Sequence, residues 1–219
     1  MGADHSTPPP TKQRRVAILG PSGAGKTTLL LQWTHHAIVP TLPTVGFNVE
    51  TVVFEDTLFT MWDIPGQVAL QPCWPQYCSS VDAVVFVVDA TGRSSLGAAR
   101  DALHAAFAVA RPSRCLIVAN KIDQPECVDA LELLEILRPG DVFGTSWSYC
   151  AVSATQGEGL RQCLAWLAHE PLDDGALLQM QDDDDDDANE EEARDDWIWI
   201  GSATHLPGSL EVYYTDIPL

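Results

Sequence analysis

No stretch of this chain approaches the roughly 18 apolar residues that a membrane-spanning helix needs. The amino terminus also lacks the apolar centre of a signal peptide. Basic residues are scarce: 12 Lys and Arg stand against 31 Asp and Glu in 219 residues. That scarcity argues against a nucleic-acid surface, which requires a basic patch. The six cysteines (Cys73, Cys78, Cys115, Cys127, Cys150 and Cys163) form no CxxC pair. Their scatter disfavours a metal centre or a disulfide framework and points to reduced, buried thiols in the cytosol. The first 15 residues, MGADHSTPPPTKQRR, contain no Val, Ile, Leu, Phe or Trp. They have nothing to bury, so residues 1–14 are expected to form a flexible, Pro-rich leader.

Nearly half of the residues are apolar, enough for a real core, and the acidity is unevenly placed. Residues 1–170 carry 11 basic and 16 acidic side chains, a balance of −5, whereas residues 171–219 carry 1 and 15, a balance of −14. The body is therefore nearly neutral. The tail holds Asp182–Asp187 and Glu190–Glu192. Like charges at that density repel one another, which predicts disorder for 171–219. The ending YYTDIPL contains a Yxx-aliphatic sorting pattern at Tyr214–Ile217, but so short a pattern arises often by chance, and a solvated tail is the simpler reading.

Between leader and tail the patterning changes. VAILG (16–20), AVVFVVDA (83–90) and CLIVANK (115–121) are continuous apolar runs, as expected of parallel strands buried on both faces. FNVETVVF and TLFTMWDI flank Glu55-Asp56 and read as a hairpin. Helical segments are expected from Lys26 onward and over 95–109, 126–137 and 156–168. Strands alternating with helices predict an α/β fold with three layers. Its sheet should be mostly parallel and six-stranded, with one antiparallel hairpin, over residues 15–170.

GPSGAGKT (Gly20–Thr27) matches the phosphate-binding loop GxxxxGK[ST], placed between a buried strand and a helix as that loop requires. Gly20, Ser22, Gly23, Ala24 and Gly25 would curl backbone N–H groups around phosphates. Lys26 would add a point charge, the Thr27 hydroxyl would ligate Mg²⁺, and Thr28 would follow in the helix. NKID (Asn120–Asp123) ends a strand on the same edge of the sheet. The Asp123 carboxylate can accept both N1–H and N2–H of guanine, a donor pair that adenine lacks. Asn120 and Lys121 accompany it. In AVSAT, Ser153 and Ala154 lie about 30 residues further on, where the Ala154 N–H could meet the guanine O6.

Taken together, residues 15–168 resemble a small GTPase of the Arf/Arl family. PTVGFNVETV (43–52) is similar to that family's first switch, WDIPGQ (62–67) to its second, VFVVDAT (85–91) to its fourth strand and GEGLRQCLAWL (157–167) to its last helix. The resemblance implies a switch that binds GTP or GDP with Mg²⁺. By position, Thr44 would bind Mg²⁺ and the γ-phosphate, and Asp63 would hold the metal through water. Gly66 would donate its N–H to the γ-phosphate, and Gln67 would orient the attacking water beside the catalytic Lys26. Phe47, Trp62 and Tyr77 fall where the family shows an aromatic triad to effectors, exchange factors and activating proteins.

The chain departs from the family at several places. Pro65 stands where glycine is usual, removing an N–H and fixing φ. The phosphate-sensing donor is the next residue, Gly66, so a working but stiffened second switch is expected; the DxPGH box of translational GTPases is similar. Ser22 stands where aspartate is common. The family's amphipathic amino-terminal helix has no counterpart in ADHSTPPPTKQRR. Yet MGADHS fits N-myristoylation at Gly2, and Lys12, Arg14 and Arg15 could serve as a second, electrostatic membrane signal. The resemblance thus implies a cytoplasmic protein, peripheral on Golgi or endosomal membranes, acting in vesicle trafficking with no nucleic-acid partner. A nucleotide-locked scaffold whose tail makes the interactions is the competing reading. An ATP-dependent P-loop enzyme is disfavoured by NKID.

Overall fold

The computed structural model describes residues 9–35, 46–110, 112–144, 146–169, 200–206 and 209–214. Thr44, Gly2 and the acidic run 182–192 lie outside them. Six strands form the body: β1 (Lys12–Leu19), β2 (Asn48–Phe54), β3 (Thr57–Asp63), β4 (Ala83–Asp89), β5 (Cys115–Asn120) and β6 (Trp147–Val152). They lie in the order β2-β3-β1-β4-β5-β6. All neighbours run parallel except the β2–β3 hairpin. The expected architecture is therefore observed.

Strands β4 and β5 are buried along nearly their whole length, because helices cover both faces of the sheet. On one side pack α3 (Arg93–Phe107), α4 (Ala130–Leu137) and the short α5 (Gly140–Phe143), contributing Leu96, Leu103, Phe107, Leu133 and Phe143 to the core. On the other side α1 (Lys26–His35) and α6 (Leu160–Ala168) supply Leu29, Leu30, Leu164 and Leu167. The apolar face of α3 (Leu96, Ala99, Leu103, Ala106, Phe107) repeats at three- and four-residue steps, which puts one stripe against the sheet.

Element boundaries differ from the sequence reading for local reasons. Helix α4 starts at Ala130 instead of 126, where the Asp129 carboxylate caps the Glu132 N–H at 2.9 Å. Helix α6 starts at Leu160 instead of 156, because Gly157 and Gly159 adopt left-handed φ of 85° and 74°, which no helix continues through. Strand β1 begins at Lys12, inside the expected leader. Its polar first half pairs with β3 from Lys12↔Thr57 onward, and the Thr11 and Lys12 N–H groups donate to Asp56 O at 2.7 and 3.0 Å. Lys12 and Arg15 form ion pairs with Asp56 and Asp82. These cations are therefore fixed on a strand and do not belong to a flexible leader.

The sheet also continues beyond the six expected strands. Strands β7 (Ile200–Leu206) and β8 (Ser209–Tyr214) form an antiparallel hairpin within the segment expected to be disordered. β7 joins the β6 edge through Tyr149↔Gly201 and Cys150↔Ile200.

Candidate nucleotide site

The loop between β1 and α1 and the carboxyl ends of β3, β4, β5 and β6 meet at one edge of the sheet, where α/β folds bind ligands. Asn120, at the tip of β5, ties the parts together. Its Nδ2 donates to Ala24 O at 2.8 Å, and its Oδ1 accepts the Lys121 and Ala154 N–H groups at 2.8 and 3.0 Å. One buried amide thus links the phosphate loop to both base-site segments. Gly25, at φ 93°, passes so close that an added Cβ would lie 2.2 Å from Asn120 Nδ2.

The Lys26 side chain is buried, with Nζ 2.9 Å from Gly20 O and 3.0 Å from Pro21 O. Burial pulls its pKa down to about 8, partly offset by the Asp63 carboxylate. The Thr27 hydroxyl donates to Asp63 Oδ2 at 2.5 Å. A hydroxyl and a carboxylate brought together beside a phosphate cradle are hard oxygen donors that suit Mg²⁺, which takes its remaining ligands from phosphates and water.

The second switch lies against this loop. An added Cβ on Gly66 would meet Gly20 O at 2.3 Å and Lys26 Nζ at 2.6 Å, so only glycine fits. Gly66 O accepts the Ser22 N–H at 3.1 Å. Gln67, exposed and extended (φ −62°, ψ 138°), opens a 3₁₀ helix over Val68–Cys73, followed by α2 (Pro75–Cys78).

On the base side, Ser153 Oγ donates to Asp123 Oδ1 at 2.6 Å, and Gln124 Nε2 donates to Asp123 Oδ2, also at 2.6 Å. The Ser153 hydroxyl holds the carboxyl below its usual range. The Ala154 N–H, expected to be available for the base, donates instead to Asn120 within the site. The sequence reading missed Asp89. Its carboxylate pairs with Lys121 Nζ and accepts from the Thr91 hydroxyl and N–H. Burial raises the Asp89 pKa, but these donors outweigh it and leave the carboxyl below its usual range. The position of DAT at the end of β4, beside NKID, was the available signal. Lys121 itself sits at a left-handed φ of 71°, uncommon for a non-glycine residue.

Of the aromatic triad, Trp62 and Tyr77 meet edge-to-face at 6.4 Å, half-buried against the core. Phe47 is 63% exposed.

A P-loop at one strand end, a hydroxyl–carboxylate pair beside it and an NKxD segment bonded to it define a small P-loop GTPase. A sequence model of the ADP-ribosylation factor family matches residues 5–171, and the chain belongs to that family. It is 39% identical over 158 residues to ADP-ribosylation factor-like protein 1 of Saccharomyces cerevisiae, covering 71% of this chain and 86% of that protein. To ADP-ribosylation factor-like protein 5A of Mus musculus it is likewise 39% identical over 158 residues, covering 88% of that protein. Among solved structures it resembles the Arl6 BBS3 small GTPase from Trypanosoma brucei with the bound nucleotide analogue GppNp. That likeness has a TM-score of 0.63 and 28% identity, and covers 71% of this chain and 95% of the other. The protein is thus a guanine-nucleotide-binding switch and a GTPase.

Proposed function

We propose that this GTPase cycles between GDP and GTP with Mg²⁺ and recruits effectors, acting in membrane trafficking from the cytoplasmic face. The observation that carries the reading is the Asn120 amide, which bonds to Ala24 O and to the Ala154 N–H and so builds base and phosphate recognition as one unit. Gly20, Ser22, Gly23, Ala24, Gly25 and Thr28 surround the phosphates, while Lys26 supplies charge. Thr27 and Thr44 would hold Mg²⁺, with Asp63 acting through water, and the ion would neutralise phosphate charge. Asp123, steadied by Ser153, selects guanine. Gln67 orients water. Phe47, Trp62 and Tyr77 form the partner surface, on which Val49 (45% exposed) is the cross-strand neighbour of Trp62. A myristoyl group on Gly2 provides reversible peripheral attachment.

Single-turnover GTP hydrolysis, measured with and without cell extract, tests the reading. Intrinsic turnover on the order of 10⁻⁴ to 10⁻² per second, accelerated by extract, is the expected result. A nucleotide that stays bound and uncleaved in both arms would instead mark a nucleotide-locked scaffold.

A further inference from the structure

We infer that Trp74 is a positioning residue for the Gly66 N–H, and that it is what makes Pro65 compatible with a working second switch. The inference rests on the GTPase reading above.

Pro65 has no N–H, so its carbonyl is its only backbone hydrogen-bonding group. Trp74 Nε1–H donates to that carbonyl at 3.0 Å. The described residues contain no cis peptide, so the C=O of Pro65 and the N–H of Gly66 point in opposite directions across one planar group. Holding the oxygen on the core side therefore aims the N–H away from the core. The phosphate loop lies against Gly66 on its other side: the Ser22 N–H donates to Gly66 O at 3.1 Å, and a Cβ added at Gly66 would come within 2.3 Å of Gly20 O.

The anchor is rigid. Trp74 is fully buried, its ring meets Phe86 edge-to-face at 6.0 Å, and its carbonyl accepts from Cys78 Sγ at 3.3 Å. The next peptide group is held as well, because Gly66 O accepts from the Ser22 N–H at 3.1 Å and from Gln71 Nε2 at 3.3 Å. Donors from the core, the phosphate loop and the 3₁₀ helix thus fix both peptide groups flanking Gly66. The proline restricts the backbone, and the indole selects which way the restricted backbone faces. Trp74 lies nine residues beyond Pro65, outside WDIPGQ, and reaches it because the 3₁₀ helix and α2 turn the chain back.

The test uses the full chain with 3-benzothienylalanine placed at position 74, which keeps the bicyclic shape and replaces the N–H by sulfur. Trp74→Phe serves as the second variant. Affinities for GDP and for a non-hydrolysable GTP analogue are measured on each. Loss of one hydrogen bond predicts GDP binding within about twofold of the parent and analogue binding about three- to tenfold weaker. An unchanged ratio of the two affinities would overturn the inference. So would an equal weakening of both, which would make Trp74 merely structural. A parent protein that binds no guanine nucleotide would remove the GTPase reading, and this inference with it.

Discussion

Asp123 and Gly66 show how single atoms govern this site. Asp123 accepts from Ser153 and Gln124 and still presents an exposed carboxylate. In Asp123→Asn the amide offers a donor where guanine also offers one, so GTP should bind more weakly by roughly 2–5 kcal/mol. Xanthosine triphosphate, whose base edge is altered to match, should bind better; competitive titration of the two nucleotides measures the switch. At Gly66 a methyl group would overlap Gly20 O, Pro21 and Lys26 Nζ. Gly66→Ala should therefore cost about 1–3 kcal/mol of overpacking, read as a lowered unfolding temperature together with weaker binding of the GTP analogue. The cysteines give a third residue-scale expectation. Cys78, Cys115, Cys150 and Cys163 are buried, Cys127 is half-buried and Cys73 is exposed. Burial raises the pKa of the Cys78 thiol to about 12, which leaves it inert. Thiol titration of the native protein should find one fast group, Cys73, and six after unfolding.

The moving parts are the segments whose support is local. The 3₁₀ helix after Gln67 exposes Val68 and Leu70 and buries none of its own side chains, so beyond the anchored Gly66 it can respond to the nucleotide. Gln67→Leu should slow hydrolysis and enrich the GTP form, and Thr27→Asn should favour an empty or GDP-bound form; extraction and chromatography of the bound nucleotide distinguish them. The β2–β3 hairpin is clamped at its tip. Asp56 holds Thr11 and Lys12 on one side, while Arg161 of α6 pairs with Glu55 at 3.4 Å and covers Phe54 at 5.0 Å on the other. In Asp56→Ala, amide exchange should quicken at the hairpin turn and in the first residues of β1. Unchanged exchange there would mean that the ladder alone holds the tip.

For the molecule as a whole, the question is how leader and tail act on a nearly neutral body. One myristoyl chain gives marginal membrane binding, so a second attraction is needed. Lys12, Arg14 and Arg15 would supply it from a strand, with Lys12 and Arg15 already facing Asp56 and Asp82. The 15 acids of the tail oppose it. Acylated protein should therefore bind anionic vesicles weakly and in a salt-sensitive way, more strongly once residues 172–219 are removed, and not at all as Gly2→Ala. Co-sedimentation across ionic strength reads all three. The same truncation should leave nucleotide affinity within about twofold, because among the described residues the tail hairpin joins the sheet at the β6 edge, in register at Tyr149↔Gly201 and Cys150↔Ile200.

The sequence by itself determined the parts of this protein that depend on local pattern. Apolar runs without alternation specify strands covered on both faces, and GPSGAGKT and NKID specify chemistry at strand ends. Spacing and helix alternation then leave one economical topology. Tertiary structure alone decided what depends on atoms brought together from distant positions. It joined Asn120 to Ala24 and Ala154, diverting an N–H expected for the base. It recruited Asp89 to Lys121, and it extended β1 into a polar leader because β3 offered a ladder to pair with. It also placed Trp74 against Pro65, giving the proline's one remaining polar group a donor that no short motif contains.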